Sequence, residues 1–145
     1  MSRLIKLSIV AISLFIVCSC QKPDSTPKPD PIVKFTSNLT GAQEIPANIS
    51  AATAYAFVTF NTDTKLFAVS TTYSNFTGVP VGNVHKGAVG IIGPVIFPFT
   101  SLGTPQVLTH LDATQETDLM ANLYYINVSS SAYPGGEIRG QLIKQ

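Results

Sequence analysis

Apolar and polar residues alternate over much of the chain, which is the pattern of β-strands with one buried face. The alternation is most regular over residues 52–60, where alanine, valine and phenylalanine occupy the even-numbered positions. Residues 61–64 (NTDT) predict a turn, because Asn and Asp side chains hydrogen-bond to backbone groups close by in sequence. A second alternating stretch at residues 65–73 therefore predicts an antiparallel hairpin.

Short strands are predicted elsewhere by the same reasoning, with turn residues between them. They are residues 33–39, 81–86, 88–99, 106–111, 123–128 and 137–143. The stretch 88–99 contains two prolines and two glycines, so we expect it to break into pieces at Gly93-Pro94 and at Pro98.

One short helix is predicted after residue 111. Asp112 is the expected N-cap, because Gln115 follows three residues later in capping-box spacing. Thr114 is the alternative cap and would start the helix two residues later. Leu119 and Met120 are expected to pack against the sheet. Many short strands, glycine and proline turns and a single helix predict an all-β fold, an antiparallel β-sandwich or barrel.

The beginning of the chain predicts an export signal. Arg3 and Lys6 provide positive charge ahead of residues 7–17, which are apolar apart from two serines. A helix of this length spans about 17 Å, which is too short for the roughly 30 Å core of a bilayer. We therefore interpret residues 1–19 as a signal peptide, with a short buried helix as the alternative.

The segment Val17-Cys18-Ser19-Cys20 resembles the end of a bacterial lipoprotein signal, in which an aliphatic and a small residue precede the modified cysteine. This resemblance implies cleavage before Cys20 and lipidation of Cys20, which would anchor the protein in a membrane. Gln21, rather than Asp, follows that cysteine, which resembles sorting to the outer membrane. The implied location is the cell envelope, and secretion after ordinary signal-peptide cleavage is the alternative.

Residues 20–31 are interpreted as a lipidated cysteine and a tether that lead into a single domain at residues 32–145. Residues 21–31 contain four prolines and no apolar side chain other than these, so we expect an extended spacer. Hydrophobic residues make up 45% of the chain and charged residues 12%, which excludes a disordered protein. The net charge of +1, without a long basic run, predicts no nucleic-acid partner.

Three motifs in the predicted domain resemble CHRD domains, a module named after chordin. Residues 133–141 (YPGGEIRGQ) resemble the characteristic end of the family, and residues 39–46 (LTGAQEIP) resemble its opening. Residues 83–87 (NVHKG) resemble its histidine motif. The resemblance extends over about residues 35–143 and implies an interaction module that binds a protein partner.

Two positions depart from the family pattern. CHRD sequences commonly carry histidine where this chain has Asn83 and Ser129, so His85 is the recurrent histidine that remains. Two histidines separated by one residue in a glycine-rich β-domain are also a feature of the copper/zinc superoxide dismutases. By analogy of fold, the resemblance implies an Ig-like or superoxide-dismutase-like architecture.

The residues predict neither a metal site nor a catalytic one. The available side chains are His85, His110, Glu44, Asp112, Glu116 and Glu137. Their spacing matches no typical set of zinc or copper ligands, and no G-x-S-x-G motif marks a nucleophile. We therefore expect no cofactor and no enzymatic activity, and we interpret His85 as a polar residue hydrogen-bonded to backbone. The alternative is a copper- or zinc-binding redox protein of the dismutase type.

Glu137 and Arg139 form the best candidate polar pair. They alternate with inward residues on the last predicted strand, so we expect them, with Gln141, to face outward. Charge-assisted hydrogen bonds would tie this strand to a neighbouring loop around Glu44. The alternative is a binding role in which Arg139 recognises a carboxylate or a sugar.

Aromatic and aliphatic side chains provide two further candidate surfaces. A glycan platform would require the common exposure of Tyr55, Tyr73, Tyr124, Tyr125 and Tyr133, although aromatic residues also fill β-cores. A partner-binding patch would arise if the following side chains were not all buried: Ile92, Ile96, Phe97 and Phe99. Gly135 and Gly136 are both expected to supply positive φ angles in the turn before the last strand.

These observations together predict a lipid-anchored module of the cell envelope that binds without catalysing a reaction. Its partners would be the membrane, through the lipid on Cys20, and an envelope or extracellular protein or a glycan. The residues proposed for structure or binding are Glu44, His85, Glu137 and Arg139.

Overall fold

The computed structural model describes residues 28–76, 78–99 and 102–145. The predicted signal peptide, Cys20 and residues 21–27 of the predicted tether lie outside them. The strands of the described part are β1 (Ile32–Thr40), β2 (Thr53–Asn61), β3 (Leu66–Ser74), β4 (Val81–Lys86), β5 (Val95–Phe99), β6 (Gln106–His110), β7 (Tyr124–Ser129), β8 (Ile138–Gln141) and β9 (Ile143–Lys144). Its helices are the 3-10 turn Gly41–Gln43 and α1 (Ala113–Met120).

The strands form a single antiparallel sheet in the order β5-β4-β7-β8-β1-β2-β3-β6, and β9 also pairs with β1. The sheet curls so that its two edges approach each other. Phe97 of β5 contacts Phe67 of β3, with 5.7 Å between the ring centroids. The result is a nearly closed, barrel-like sheet with one short helix, which confirms the prediction of an all-β antiparallel fold.

The core fills the inside of this curled sheet. The largest side chains that are fully buried there come from both halves of the sheet and from α1: Phe35, Leu39, Phe60, Phe67, Leu119, Tyr124, Ile126, Ile138 and Leu142. Burying one such side chain contributes about 1.5–3 kcal/mol to stability, so the apolar positions of the alternating pattern dominate the energetics of the fold.

The β2–β3 hairpin forms as the alternation predicts. Phe60 and Phe67 are paired across the hairpin and both are buried. The residues of β2 that alternate with its buried positions are partly or fully exposed. In the turn, Asn61 Oδ1 accepts hydrogen bonds from the backbone N–H groups of Asp63 and Thr64, both at 2.9 Å. Local side-chain chemistry therefore closes the hairpin, as predicted.

Helix α1 also agrees with its predicted cap. Asp112 Oδ1 accepts from the backbone N–H of Gln115 at 2.8 Å, and the Gln115 side chain accepts from the backbone N–H of Asp112 at 3.0 Å. The helix begins at Ala113, so the alternative cap at Thr114 is wrong. Leu119 is fully buried, which anchors the helix on the sheet.

Two predicted strands are divided differently in the structure. Residues 87–94 form a loop, and Pro98 lies inside β5 rather than ending it. Proline is tolerated there because β5 is an edge strand and pairs only with β4. The last predicted strand stops at Gln141, and Ile143 pairs with Thr36 of β1 as part of β9. Within the described residues, no helix is long and apolar enough to span a bilayer.

Candidate functional site

A polar layer lies on the outer face of β4, β7 and β8. In the register of the sheet, Asn83, Asn127 and Arg139 are aligned, and so are His85, Tyr125 and Gln141. The loops at residues 41–52 and 87–94 cross over these side chains. We call this surface the covered face, because loops rather than solvent lie against much of it.

Arg139 holds the loop 87–94 onto the covered face. Its Nη2 donates hydrogen bonds to the carbonyl oxygens of Ile91 at 2.8 Å and Ala88 at 3.4 Å. Its guanidinium lies over the ring of Tyr125, with Cζ 3.5 Å from the ring centroid. The residue is only 4% exposed, so Arg139 lies on the outer face, as predicted, and is buried there beneath a loop.

Glu137 contacts the other loop. It is 4% exposed, and its Oε1 accepts a hydrogen bond from Ser50 Oγ at 2.6 Å. Asn48 Nδ2 donates to the carbonyl oxygen of the same glutamate at 3.1 Å. Glu137 and Arg139 therefore contact different loops, and the described residues contain no ion pair between them.

Glu44 belongs to the loop 41–52, faces the loop 87–94 across a cleft, and is 8% exposed. Its Oε2 accepts a weak hydrogen bond from Asn127 Nδ2 at 3.5 Å, whereas its buried Oε1 has no hydrogen-bond partner among the described residues. Burial raises the pKa of this carboxyl above its ordinary value. The positive charge of Arg139 and the backbone N–H of Ile45 lower the pKa, but by less than burial raises it.

The Glu44→Gln variant is expected to be more stable than the wild type at pH 7. Because the folded-state pKa of the carboxyl is raised, ionisation of Glu44 costs stability once the pH rises through that value. Below the ordinary pKa the carboxyl is neutral and resembles glutamine, so the advantage of the variant should shrink there. Urea unfolding of both proteins between pH 3.5 and pH 8 measures this difference, and a pH-independent difference would contradict the burial effect.

His85 is part of the covered face but is bound to backbone. A carbonyl oxygen only accepts, so the Nδ1 of His85 donates to the Gly93 oxygen at 2.9 Å. The imidazole also stacks on Tyr125 with a centroid distance of 4.9 Å. Asn83 and Ser129, the two departures from the family pattern, lie on this same face of β4 and β7. No group of three or more His, Cys, Asp or Glu residues that could hold a metal ion exists within the described part of the chain.

The other predicted metal-ligand candidates are dispersed and engaged elsewhere. His110 is exposed on β6, a strand that does not pair with β4. Asp112 caps α1, and Glu116 forms an ion pair with Lys65 at 2.7 Å. The structure thus brings together Glu44, Glu137, Arg139 and His85 on the covered face. The remaining candidates, His110, Asp112 and Glu116, lie on other parts of the domain.

The five tyrosines do not form one platform. Tyr124 and Tyr125 are each 1% exposed, and Tyr124 faces the core while Tyr125 faces the covered face. Tyr55 and Tyr73 are half-exposed but belong to opposite sides of the β2–β3 hairpin, since Tyr73 pairs with the inward-facing Ala54. The hypothesis of a common tyrosine surface is therefore wrong.

Three exposed apolar side chains lie in the loop 87–94. Val89 is 77% exposed and Ile92 is 68% exposed, and Ile91 is also exposed. Phe99, which the sequence placed in the same candidate patch, is buried in the core. In the other turn, Gly136 has a positive φ of 141°, while Gly135 does not, so the expectation for Gly135 is wrong.

A cleft of about 260 Å³ opens where the two loops meet over the covered face. Aliphatic side chains line part of it, and Arg139 and Gln141 are its strand residues: Ala42, Gln43, Glu44, Ile45, Val89, Gly90, Arg139 and Gln141. Gln141 was not selected from the sequence, although its Nε2 donates to the carbonyl oxygens of Gly87, Asn122 and Tyr124 at 3.0, 2.6 and 3.0 Å. The sequence signal that could have identified Gln141 is its position two residues after Arg139, which places both side chains on the same face of the strand.

The fold and site thus define a barrel-like β-domain whose outer polar layer is roofed by two loops. The family profile of the CHRD domain matches residues 35–142, so the chain belongs to the CHRD domain family. No curated protein and no solved structure matches the chain. The motifs 39–46, 83–87 and 133–141 all contribute residues to the covered face or to its loops.

Proposed function

We propose that the protein is a lipid-anchored module of the cell envelope that binds an envelope or extracellular protein or glycan and catalyses no reaction. The observation that supports binding is the cleft over the covered face, where Glu44 of the loop 41–52 and Arg139 of β8 lie beside exposed aliphatic side chains of the loop 87–94. Loops held on a rigid sheet are the usual place for recognition. The membership of the CHRD family agrees with an interaction module.

The absence of catalysis is inferred from how the polar side chains of the covered face are used. His85 donates to a backbone carbonyl, Gln141 donates to three, and Ser50 donates to Glu137. A general base needs a substrate proton within hydrogen-bond reach, and a nucleophile needs an adjacent base. These groups instead hold the loops, which is the role of a scaffold for binding.

Anchoring is proposed from the amino-terminal sequence. A basic start, a short apolar segment and Val17-Cys18-Ser19-Cys20 precede the proline-rich residues 21–31. Strand β1 begins directly after them at Ile32. An acylated Cys20 would hold the domain at the membrane while the tether gives it a reach of about 30 Å.

Replacement of the proposed lipidation site should release the protein. We expect Cys20→Ala to move it from the membrane fraction to the soluble or precursor fraction, because acyl chains on this residue would supply the anchor. Fractionation of cells that express the full chain, followed by immunoblotting, measures the distribution. Cys18→Ala is the matched control, since Cys18 would leave with the signal peptide, and an unchanged distribution of Cys20→Ala would refute the anchor.

Binding at the cleft is tested with two substitutions of the same kind. Val89 lines the cleft and Val107 is 65% exposed on β6, so Val89→Glu and Val107→Glu add equal charge at different surfaces. We expect saturable binding of the mature chain to purified envelope proteins or glycans, and we expect Val89→Glu alone to abolish it. Equal binding by both variants would exclude the cleft as the site.

A further inference from the structure

Arg139 is a buried cation without a carboxylate in contact. The ion pairs of the described residues join Lys28 to Asp63, Lys65 to Glu116 and Lys86 to Asp118. No side-chain carboxylate oxygen of the described residues lies within 4.0 Å of an Arg139 nitrogen, although that residue is only 4% exposed. Burial of an unpaired charge is costly, so such a guanidinium is a strong site for an anion.

The guanidinium also retains unused donors. It carries five N–H groups, and only Nη2 has acceptors, the carbonyl oxygens of Ala88 and Ile91. Its Nε and Nη1 form no hydrogen bond to any described residue. Stacking on Tyr125 fixes the plane of the group, so these donors are held in one orientation. Nε and Nη1 belong to different forks of the guanidinium, and both forks include Nη2, so each free N–H group can donate one hydrogen bond to an oxygen of a carboxylate.

The cleft beside Arg139 is small and partly aliphatic. Its volume of about 260 Å³ is below the roughly 300–1,000 Å³ of pockets for drug-sized ligands. Ala42, Ile45 and Val89 provide apolar contact surface in it. A short acid or the end of a chain therefore fits this cleft better than a larger compound.

We propose that the cleft binds a carboxylate that follows a short aliphatic group, with Arg139 as the residue that recognises the carboxylate. This inference rests on the proposed binding function and specifies the ligand of that same site. The carboxylate accepts from the guanidinium, and the aliphatic group packs against Ala42, Ile45 and Val89. Two sources supply this chemistry, a free short carboxylic acid and the carboxyl terminus of a polypeptide.

Glu44 opposes the bound carboxylate. It lines the same cleft, and its negative charge interacts with that of Arg139. Two negative groups then share one guanidinium in a site that is largely screened from water. Removal of the charge in Glu44→Gln is therefore expected to strengthen carboxylate binding.

The experiment compares matched probes on the whole mature chain in detergent, by isothermal titration calorimetry. The probes are N-acetyl-alanyl-valine, its carboxyl-terminal amide, and N-acetyl-valine as the free short acid. We expect the amide to bind at least about tenfold more weakly than the acid, since it lacks the charge. Val89→Glu should weaken binding of the acid by a similar factor, and Val107→Glu should leave this binding unchanged. Glu44→Gln should strengthen binding of the acid.

Each outcome separates this inference from the proposed function. Equal binding of acid and amide, or no binding of either acid, would overturn carboxylate recognition. If Val89→Glu still abolished binding to envelope proteins or glycans in that case, the cleft would remain the site for a different ligand. Binding of both acids would identify a free acid as sufficient, whereas binding of the dipeptide acid alone would identify a polypeptide terminus, and both support the proposal.

Discussion

We expect Gly140→Ala to lower the free energy of unfolding by about 2–3 kcal/mol, the upper part of the range for overpacking a closely packed site. Gly140 lies in β8, where a Cβ atom would be 2.1 Å from Ser37 Oγ and 2.7 Å from the carbonyl oxygen of Asn38. The serine hydroxyl is buried and the carbonyl belongs to β1, so neither moves without disturbing the β1–β8 contact. Urea unfolding monitored by tyrosine fluorescence measures the loss.

Gly135→Ala is the matched control for this substitution. A Cβ atom at Gly135 would meet no atom within 4 Å, and its φ angle is not positive. We expect a change of less than about 0.5 kcal/mol, as for an ordinary surface site. Equal stability of the two variants would mean that β8 does not approach β1 as closely as the structure shows.

We expect Arg139→Ala to lower the free energy of unfolding by about 1–3 kcal/mol, the usual cost when buried hydrogen-bonding groups lose their partner. The substitution leaves the carbonyl oxygen of Ile91 without its side-chain donor and removes the stacking on Tyr125, while the Ala88 carbonyl keeps only the backbone N–H of Ile91 as a donor. The loop 87–94 should then open more often. Hydrogen exchange at the amide of Gly93, which donates to Tyr125 Oη at 3.0 Å, should accelerate.

Arg139→Lys separates the charge from the geometry. Lysine keeps the positive charge but lacks the planar fork and stacks less well, so we expect an intermediate loss of stability. The amides of the β2–β3 hairpin, which exchange through global unfolding, should accelerate only by the factor that the loss of global stability sets, whereas Gly93 should accelerate further through local opening of the loop. An unchanged unfolding midpoint for Arg139→Ala would place the guanidinium on an open surface and would also remove the basis of carboxylate recognition.

Local patterns account for most of the fold that could be predicted. The β2–β3 hairpin, its Asn61 turn and the Asp112 cap of α1 depend on residues no more than 21 positions apart. The alternation also assigned the faces of the last strand correctly, with Ile138 inward and Arg139 outward. Such features are readable because the side-chain period and the turn chemistry are properties of the local backbone.

The segmentation of the edge strands was harder to predict. Proline inside a strand usually argues against it, yet Pro98 lies within β5. The deciding fact is that β5 pairs on one side only, which is a property of the whole sheet order. Residues 88–92 were likewise interpreted as one piece of the broken strand 88–99, and they belong to the loop 87–94.

The candidate site was predicted in its residues but not in its arrangement. Glu44, His85, Glu137 and Arg139 were all selected, and all lie on the covered face or at its rim. Their contacts are with Ser50, Gly93 and the carbonyl oxygens of residues 88 and 91. Tyr125 and Gln141 were not predicted as partners, since only the strand register places them beside Arg139 and His85.

The sequence by itself determined the β2–β3 hairpin, the cap of α1, the inward and outward faces of the last strand and the membership of the CHRD family, because these depend on short-range periodicity and contiguous motifs. Only the tertiary structure decided that two loops lie over the outward face and convert Glu137 and Arg139 from outward-facing residues into buried charges. The contact of Arg139 with Ile91 joins positions 48 residues apart. Alternation specifies which face a side chain occupies, and long-range packing specifies what covers that face.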